Sequence, residues 1–182
     1  MSTAELIRQR AQRLRQLNDE VDATLCHRNE GAAQEERWRA ACKQFHDEYD
    51  RLAFPGGAAE GIRKLAAHDQ DAIETAVVFL ETDPLFFRSG YIKEELIEKL
   101  RWAPLNTDQK SRLQQVILAR IRDPKTRREF RRYCRLAPFV TDSEFEKSIS
   151  ELAGPSGAKP KRAQWVLEHL KQGVSKQRSA KS

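Results

Sequence analysis

A chain of 182 residues is long enough for one domain, or for a domain with an appendage. With 39% hydrophobic and 33% charged residues and a mean hydropathy of −0.74 it is polar throughout; no run approaches the roughly 18 apolar residues of a membrane span, and its start lacks the order of a signal peptide. The net charge of +6 is uneven: residues 1–55 sum to −1, 56–100 to −4 and 101–182 to +11, an asymmetry that points one end at an anionic partner.

Only 8 Gly and 7 Pro punctuate the chain, and the long stretches between them are rich in Ala, Leu, Glu, Lys, Arg and Gln. These are good helix formers, and strand-like alternation of β-branched residues is missing, so the chain reads as all-α. Residues 3–28 form the first predicted helix. Ile7, Leu14 and Val21 recur every seven residues, with Ala11 and Leu25 completing a seam and Asn18 as a polar member that fixes register. Asn29-Glu30-Gly31 breaks it. A second helix over residues 33–53 carries the best heptad of the chain, Trp38, Cys42, Phe45, Tyr49 and Leu52. Two seams joined by a short turn lie antiparallel, which predicts a coiled-coil-like hairpin over residues 1–54, with Trp38, Phe45 and Tyr49 buried against residues 7–25. Such a hairpin buries one face of each helix, leaving another free for a partner helix or for self-association. Phe54-Pro55-Gly56-Gly57 ends it and marks the expected domain boundary.

Shorter helices follow. Residues 58–67 form one, and Asp69 caps the next, whose buried face is Ile73, Ala76, Val77 and Leu80. Leu85-Phe-Phe-Arg-Ser-Gly-Tyr91 crowds three aromatics into a connection. They either plug a corner between layers or, as Phe87 with Arg88, form an exposed contact patch. Ile92, Leu96, Ile97 and Leu100 face inward on the next helix. Thr107 caps one carrying Leu113, Val116, Ile117 and Ile121. Pro124 opens another at its first position. Thr141-x-x-Glu144 is a capping-box signature before a helix with Phe145, Ile149 and Leu152 inward. After the loop Gly154–Pro160, a last helix carries Trp165, Val166 and Leu170. Residues 173–182 form an expected disordered basic tail.

Arg101-Trp-Ala-Pro-Leu-Asn-Thr-Asp108 matches Arg135-Leu-Ala-Pro-Phe-Val-Thr-Asp142 at five of eight positions, 34 residues apart. Read physically, each copy is a corner: a helix ends before Pro, an apolar residue closes the bend, and Thr caps the next helix. On this pattern residues 58–172 resemble α-helical repeat proteins of the HEAT-like kind. The resemblance implies a short right-handed helical stack that binds other macromolecules and transfers no catalytic residue.

The sharpest local signal is the run Arg127–Arg135, with Arg120, Arg122 and Lys125 just upstream. At 100° per residue, Arg128, Arg131, Arg132 and Arg135 share a narrow arc opposite Phe130, Tyr133, Cys134 and Ala137. An arginine stripe can fork onto phosphates or carboxylates; the plain alternative is a solvated face paired with acids of residues 56–100. Three cysteines, Cys26, Cys42 and Cys134, are too few and odd in number for a disulfide framework, so packed thiols in a cytoplasmic setting are expected. Cys42 and His46 have a ligand-like spacing, but the hairpin offsets Cys26 from Cys42 by roughly 12 Å along its axis, which argues against a metal site. No phosphate loop, nucleophile elbow or converging carboxylate pair is present. The expectation is a non-catalytic adaptor or scaffold without cofactor, bound to a protein partner through Arg128, Arg131, Arg132, Arg135, Arg88 and Phe87. A nucleic-acid-binding protein using Arg120–Arg135 is the alternative.

Overall fold

The computed structural model describes residues 1–123, 125, 128–154 and 160–179, with backbone alone at 160 and 173–179. Among them the chain is all-α, with helices and no strand. It forms two compact units, Met1–Ile92 and Lys93–Ser182. By sequence these hold 12 basic against 16 acidic and 21 basic against 11 acidic side chains, so the charge asymmetry follows the units.

In the first unit, α1 (Thr3–Leu25) and α2 (Ala32–Ala53) make the expected antiparallel hairpin. Ser2 and Glu5 form a reciprocal capping box: the Glu5 amide donates to Ser2 Oγ at 3.2 Å and the Ser2 amide to Glu5 Oε2 at 2.6 Å. Arg10 donates to the carbonyls of Arg51 and Phe54, closing the C-terminal end of α2. The buried seam differs from the heptad. Ile7, Ala11, Leu14 and Leu17 are buried on α1, whereas Val21 is half-buried and Leu25 is exposed. On α2, Phe45 and Leu52 are buried, but Trp38, Cys42 and Tyr49 are only half-buried. A third element contributes: α1 also packs on α4 (Gln70–Thr82), and the buried positions of α1 end at Leu17, short of the turn.

The expected boundary after residue 54 is instead an internal turn of this unit. Phe54, 1% exposed, is a wedge between α2 and α3 (Ala58–Ala66) and packs on Phe79 with ring centroids 5.4 Å apart. Its ring lies so close to Gly61 that a Cβ there would stand 2.3 Å from Phe54 Cδ1. Gly61 is therefore the condition for the wedge. Asp69 caps α4 as predicted, accepting from the Ala72 amide at 2.9 Å, and all four expected core residues of α4 are buried together with Phe79.

α5 (Ser89–Leu100) carries the division between the units. In the second unit its Leu96, Ile97 and Leu100 are buried, and α6 (Thr107–Arg122), α7 (Phe130–Val140), α8 (Ser143–Ala153) and α9 (Pro160–Ser179) pack on one another. Lys93 stands on that same apolar face, 0% exposed, with Nζ 3.8 Å from the carboxylate of Glu129. Cys134 is packed in this unit, where burial pushes its thiol up to about 12, while Cys26 is exposed rather than packed. Trp165 of α9, expected inward, is 38% exposed, its ring tilted against that of Phe130 with centroids 6.2 Å apart. Residues 173–179 continue α9, so the expected tail is helical that far; residues 180–182 lie outside the described ones.

The two copies of the repeated octapeptide fold differently. Pro104 lies in the connection after α5, whereas Pro138 lies inside α7. The position that decides is Asn106 against Val140. Asn106 caps α6 in a box with Gln109, which moves the cap off Thr107 and into the residue before it. Val140 has no oxygen to cap with and is buried, so α7 runs through it. Thr141 is then the C-cap of α7, and Asp142 caps α8, accepting from the Phe145 amide at 2.8 Å. Pro138 falls in the last turn of α7 and supplies no amide hydrogen to the carbonyl of Cys134.

Candidate functional site: an arginine face and an aromatic loop

α7 is strongly amphipathic, and its two faces divide as the periodicity predicts. Phe130, Tyr133, Cys134, Leu136 and Ala137 are buried, while Arg131 and Arg135 are exposed and Arg132 is half-buried. Arg128 is exposed but is not on the helix: Glu129 is the N-cap of α7, and Arg128 lies in the turn before it. The helix expected from Pro124 thus starts at Phe130; the residues described just after Asp123 form bend and turn, with the Lys125 amide donating to Asp123 Oδ1, and Pro124 and Arg127 lie outside the described residues. Arg120, the upstream end of the basic run, is turned in toward Asp123, 3.7 Å away.

The four arginines are electrically unlike. Arg128 Nε lies 2.9 Å from Glu94 Oε1, and Arg132 lies 3.9 Å from Glu94 and 3.4 Å from Glu98. These acids of α5 neutralise part of the stripe within the unit. Glu98 also accepts from Arg101 at 2.6 Å. Burial works to raise the pKa of the Glu98 carboxyl; the hydrogen bond from Arg101 and the charges of Arg101, Arg132 and Arg135 outweigh it and hold the group below the usual carboxylate range. Arg131 and Arg135 make no ion pair within 4.0 Å among the described residues.

One turn past Arg135 the stripe meets an aromatic pair. Phe139, half-buried, stands edge-to-face with Trp102, ring centroids 5.3 Å apart at 68°, and the Arg101 guanidinium carbon lies 5.2 Å from both centroids. Trp102 is nevertheless 63% exposed. Trp102, Phe139 and Arg101 were not expected at a surface site. The available signal was that Glu98 and Lys99 precede Trp102 at helical spacing, so it belongs to no apolar stripe.

The other two expected residues, Phe87 and Arg88, lie in the first unit. Their connection is fastened to the hairpin: Arg15 donates to the Leu85 carbonyl at 2.9 Å, and Tyr49 Oη to the Phe87 carbonyl at 3.2 Å. The loop both packs on the hairpin and reaches the surface. Phe86 packs on Tyr49 and the Phe87 ring sits edge-on against buried Phe45, which makes a plug. Leu85 and Phe87 are still each 48% exposed, with the Arg88 guanidinium 5.2 Å over the Phe87 ring. Asp83 and Arg88 bracket the loop in the left-handed region, φ 48° and 62°, which costs a non-glycine residue about 1–2 kcal/mol each.

Among the described residues no helix is long and apolar enough to cross a membrane, and no group of three or more His, Cys, Asp or Glu side chains is placed to hold a metal. Beside the buried Glu129 and Tyr133 a cavity of about 10 Å³ is closed by Arg120, Asp123 and Arg162, room for about one water. Compared with family models, with curated proteins and with solved structures, the chain finds no match.

Proposed function

We propose that this chain is a non-catalytic adaptor or scaffold of the cytoplasm whose Lys93–Ser182 unit docks an acidic protein surface through Arg131 and Arg135. The observation that carries the reading is the contrast along α7: Arg128 and Arg132 are held by Glu94 and Glu98, while Arg131 and Arg135 stand exposed one turn apart. Two forked cations at that spacing suit carboxylates on a partner surface. The acids paired with the stripe, Glu94 and Glu98, work against a continuous run of phosphates and support the protein over the nucleic-acid reading.

The test is the paired charge reversal Arg131→Glu with Arg135→Glu, read in a pull-down from the native host with and without nuclease. Recovery of the partner is expected to survive nuclease and to be lost in the variant, whose melting temperature stays close to the parent, since exposed charges contribute about 0–1 kcal/mol. Recovery that disappears with nuclease, and binding that falls steeply with salt, would transfer the surface to a nucleic acid. Unchanged recovery in the variant would leave the stripe a solvated face.

A further inference from the structure

We infer that Arg131, Arg135, Phe139 and Trp102 form one cradle for an acidic peptide segment of another protein that carries a single large apolar side chain. The inference deepens the proposed function and rests on it.

The cradle is continuous by construction. Residues 131, 135 and 139 are successive i,i+4 neighbours, so they follow one line on α7, with about 6 Å between steps and about 12 Å from end to end. The line begins with two exposed cations and finishes on an aromatic pair. A peptide lying along it meets charge first and an apolar floor last.

The floor is held in place before any ligand arrives. Trp102 is fixed from below by the edge contact with Phe139 and by the Arg101 guanidinium, which Glu98 anchors at 2.6 Å. The Arg101 side chain is only 18% exposed, so this support is packed rather than free. Above it the indole remains 63% exposed. A large, rigid, exposed Trp beside arginines is the composition that dominates binding energy at protein interfaces, and its fixed orientation lowers the entropy lost on docking. Pro104, exposed, and Leu105, half-buried, follow Trp102 in the chain and widen the apolar end.

Charge selects the occupant. The unit holds 21 basic and 11 acidic side chains, and the cradle's own entrance is cationic, so the segment is acidic. A single-stranded nucleic acid would instead be served by a row of aromatics on which successive bases stack. Here one indole is offered, and Phe139 already covers part of its surroundings edge-on.

The test uses the full chain and three fluorescently labelled probes followed by anisotropy: a short Glu-rich peptide with one central Leu, the same peptide with Ala in that place, and oligothymidine. The Leu peptide is expected to bind about tenfold more tightly than the Ala peptide. Trp102→Ala should bring the two peptides to equal affinity, and the Arg131→Glu, Arg135→Glu variant should weaken both. Trp102→Gln, which keeps bulk without an apolar face, should behave as Trp102→Ala does, and guards against a loss caused by collapse of the corner. Equal binding of the two peptides to the unaltered chain overturns the apolar anchor and leaves the acidic docking surface standing. Peptide binding unaffected by the charge reversal, or no binding of either peptide, overturns both. Oligothymidine held more tightly than the Leu peptide overturns both in favour of a nucleic acid.

Discussion

Replacing Glu129 with Ala is expected to destabilise the Lys93–Ser182 unit by about 3–5 kcal/mol, a large share of the stability of a small domain. Lys93 is 0% exposed and its ammonium lies 3.8 Å from the Glu129 carboxylate, itself 6% exposed. Taking the carboxylate away removes the counter-charge that lies 3.8 Å from a cation held in the core. The pair as a whole behaves differently. Lys93→Met combined with Glu129→Leu removes both charges and fills the space with apolar side chains, and is expected to be neutral or stabilising. Urea denaturation followed by circular dichroism measures both, with separate transitions fitted for the two units where they appear. A loss below about 1 kcal/mol for Glu129→Ala would mean that Lys93 does not depend on the Glu129 carboxylate for its charge balance.

Phe45→Ala is expected to cost about 3–5 kcal/mol in the first unit. The ring is 7% exposed and its surroundings are aromatic: Tyr49 at 5.4 Å, Phe87 at 5.8 Å in an edge contact, and His46 at 5.9 Å. Truncation leaves a cavity at the point where the hairpin receives the loop after α4. Phe87→Ala removes the other half of the same contact but from a residue 48% exposed, so its cost is smaller. An unchanged melting temperature for Phe45→Ala would show that the hairpin is not seated on this residue.

The helical class and most of the elements could be read from the sequence, because the periodicity of apolar residues and punctuation by Pro, Gly and capping side chains are local signals. Asp69 and the buried face of α4 are examples. Failures came where a neighbour in space decides. Val21 and Leu25 obey the heptad yet stay partly exposed, while Leu17, outside it, is buried on a helix that packs on α4 as well as on α2. Thr107 and Thr141 are reasonable caps in isolation; Asn106 and Asp142 stand one residue away and take the role. The arginine side of α7 was legible as a face, but which arginines are engaged was not, because Glu94 and Glu98 come from another helix. Lys93 left a trace that passed unread: it occupies the line of Leu96, Ile97 and Leu100, where a charge has to find a buried partner. Trp102 lies in one of two octapeptides that share five identical residues, and that likeness of sequence hides a difference of structure.

Arg162 of α9 donates to the carbonyls of Arg120, Asp123 and Lys125, so the exposed C-terminal carbonyls of α6 are closed by a residue 39 positions beyond Asp123. During synthesis this fixes an order of events. The first unit has its own fasteners, from Arg10 on Phe54 to Arg15 on Leu85 and Tyr49 on Phe87, all present in the polymer once residue 92 has been added. The second waits for its last helix, and at roughly 5–20 residues per second the ribosome needs several seconds to supply it. For that interval the first unit is the finished part of a nascent chain, and the end of α6 emerges with carbonyls that only solvent can satisfy.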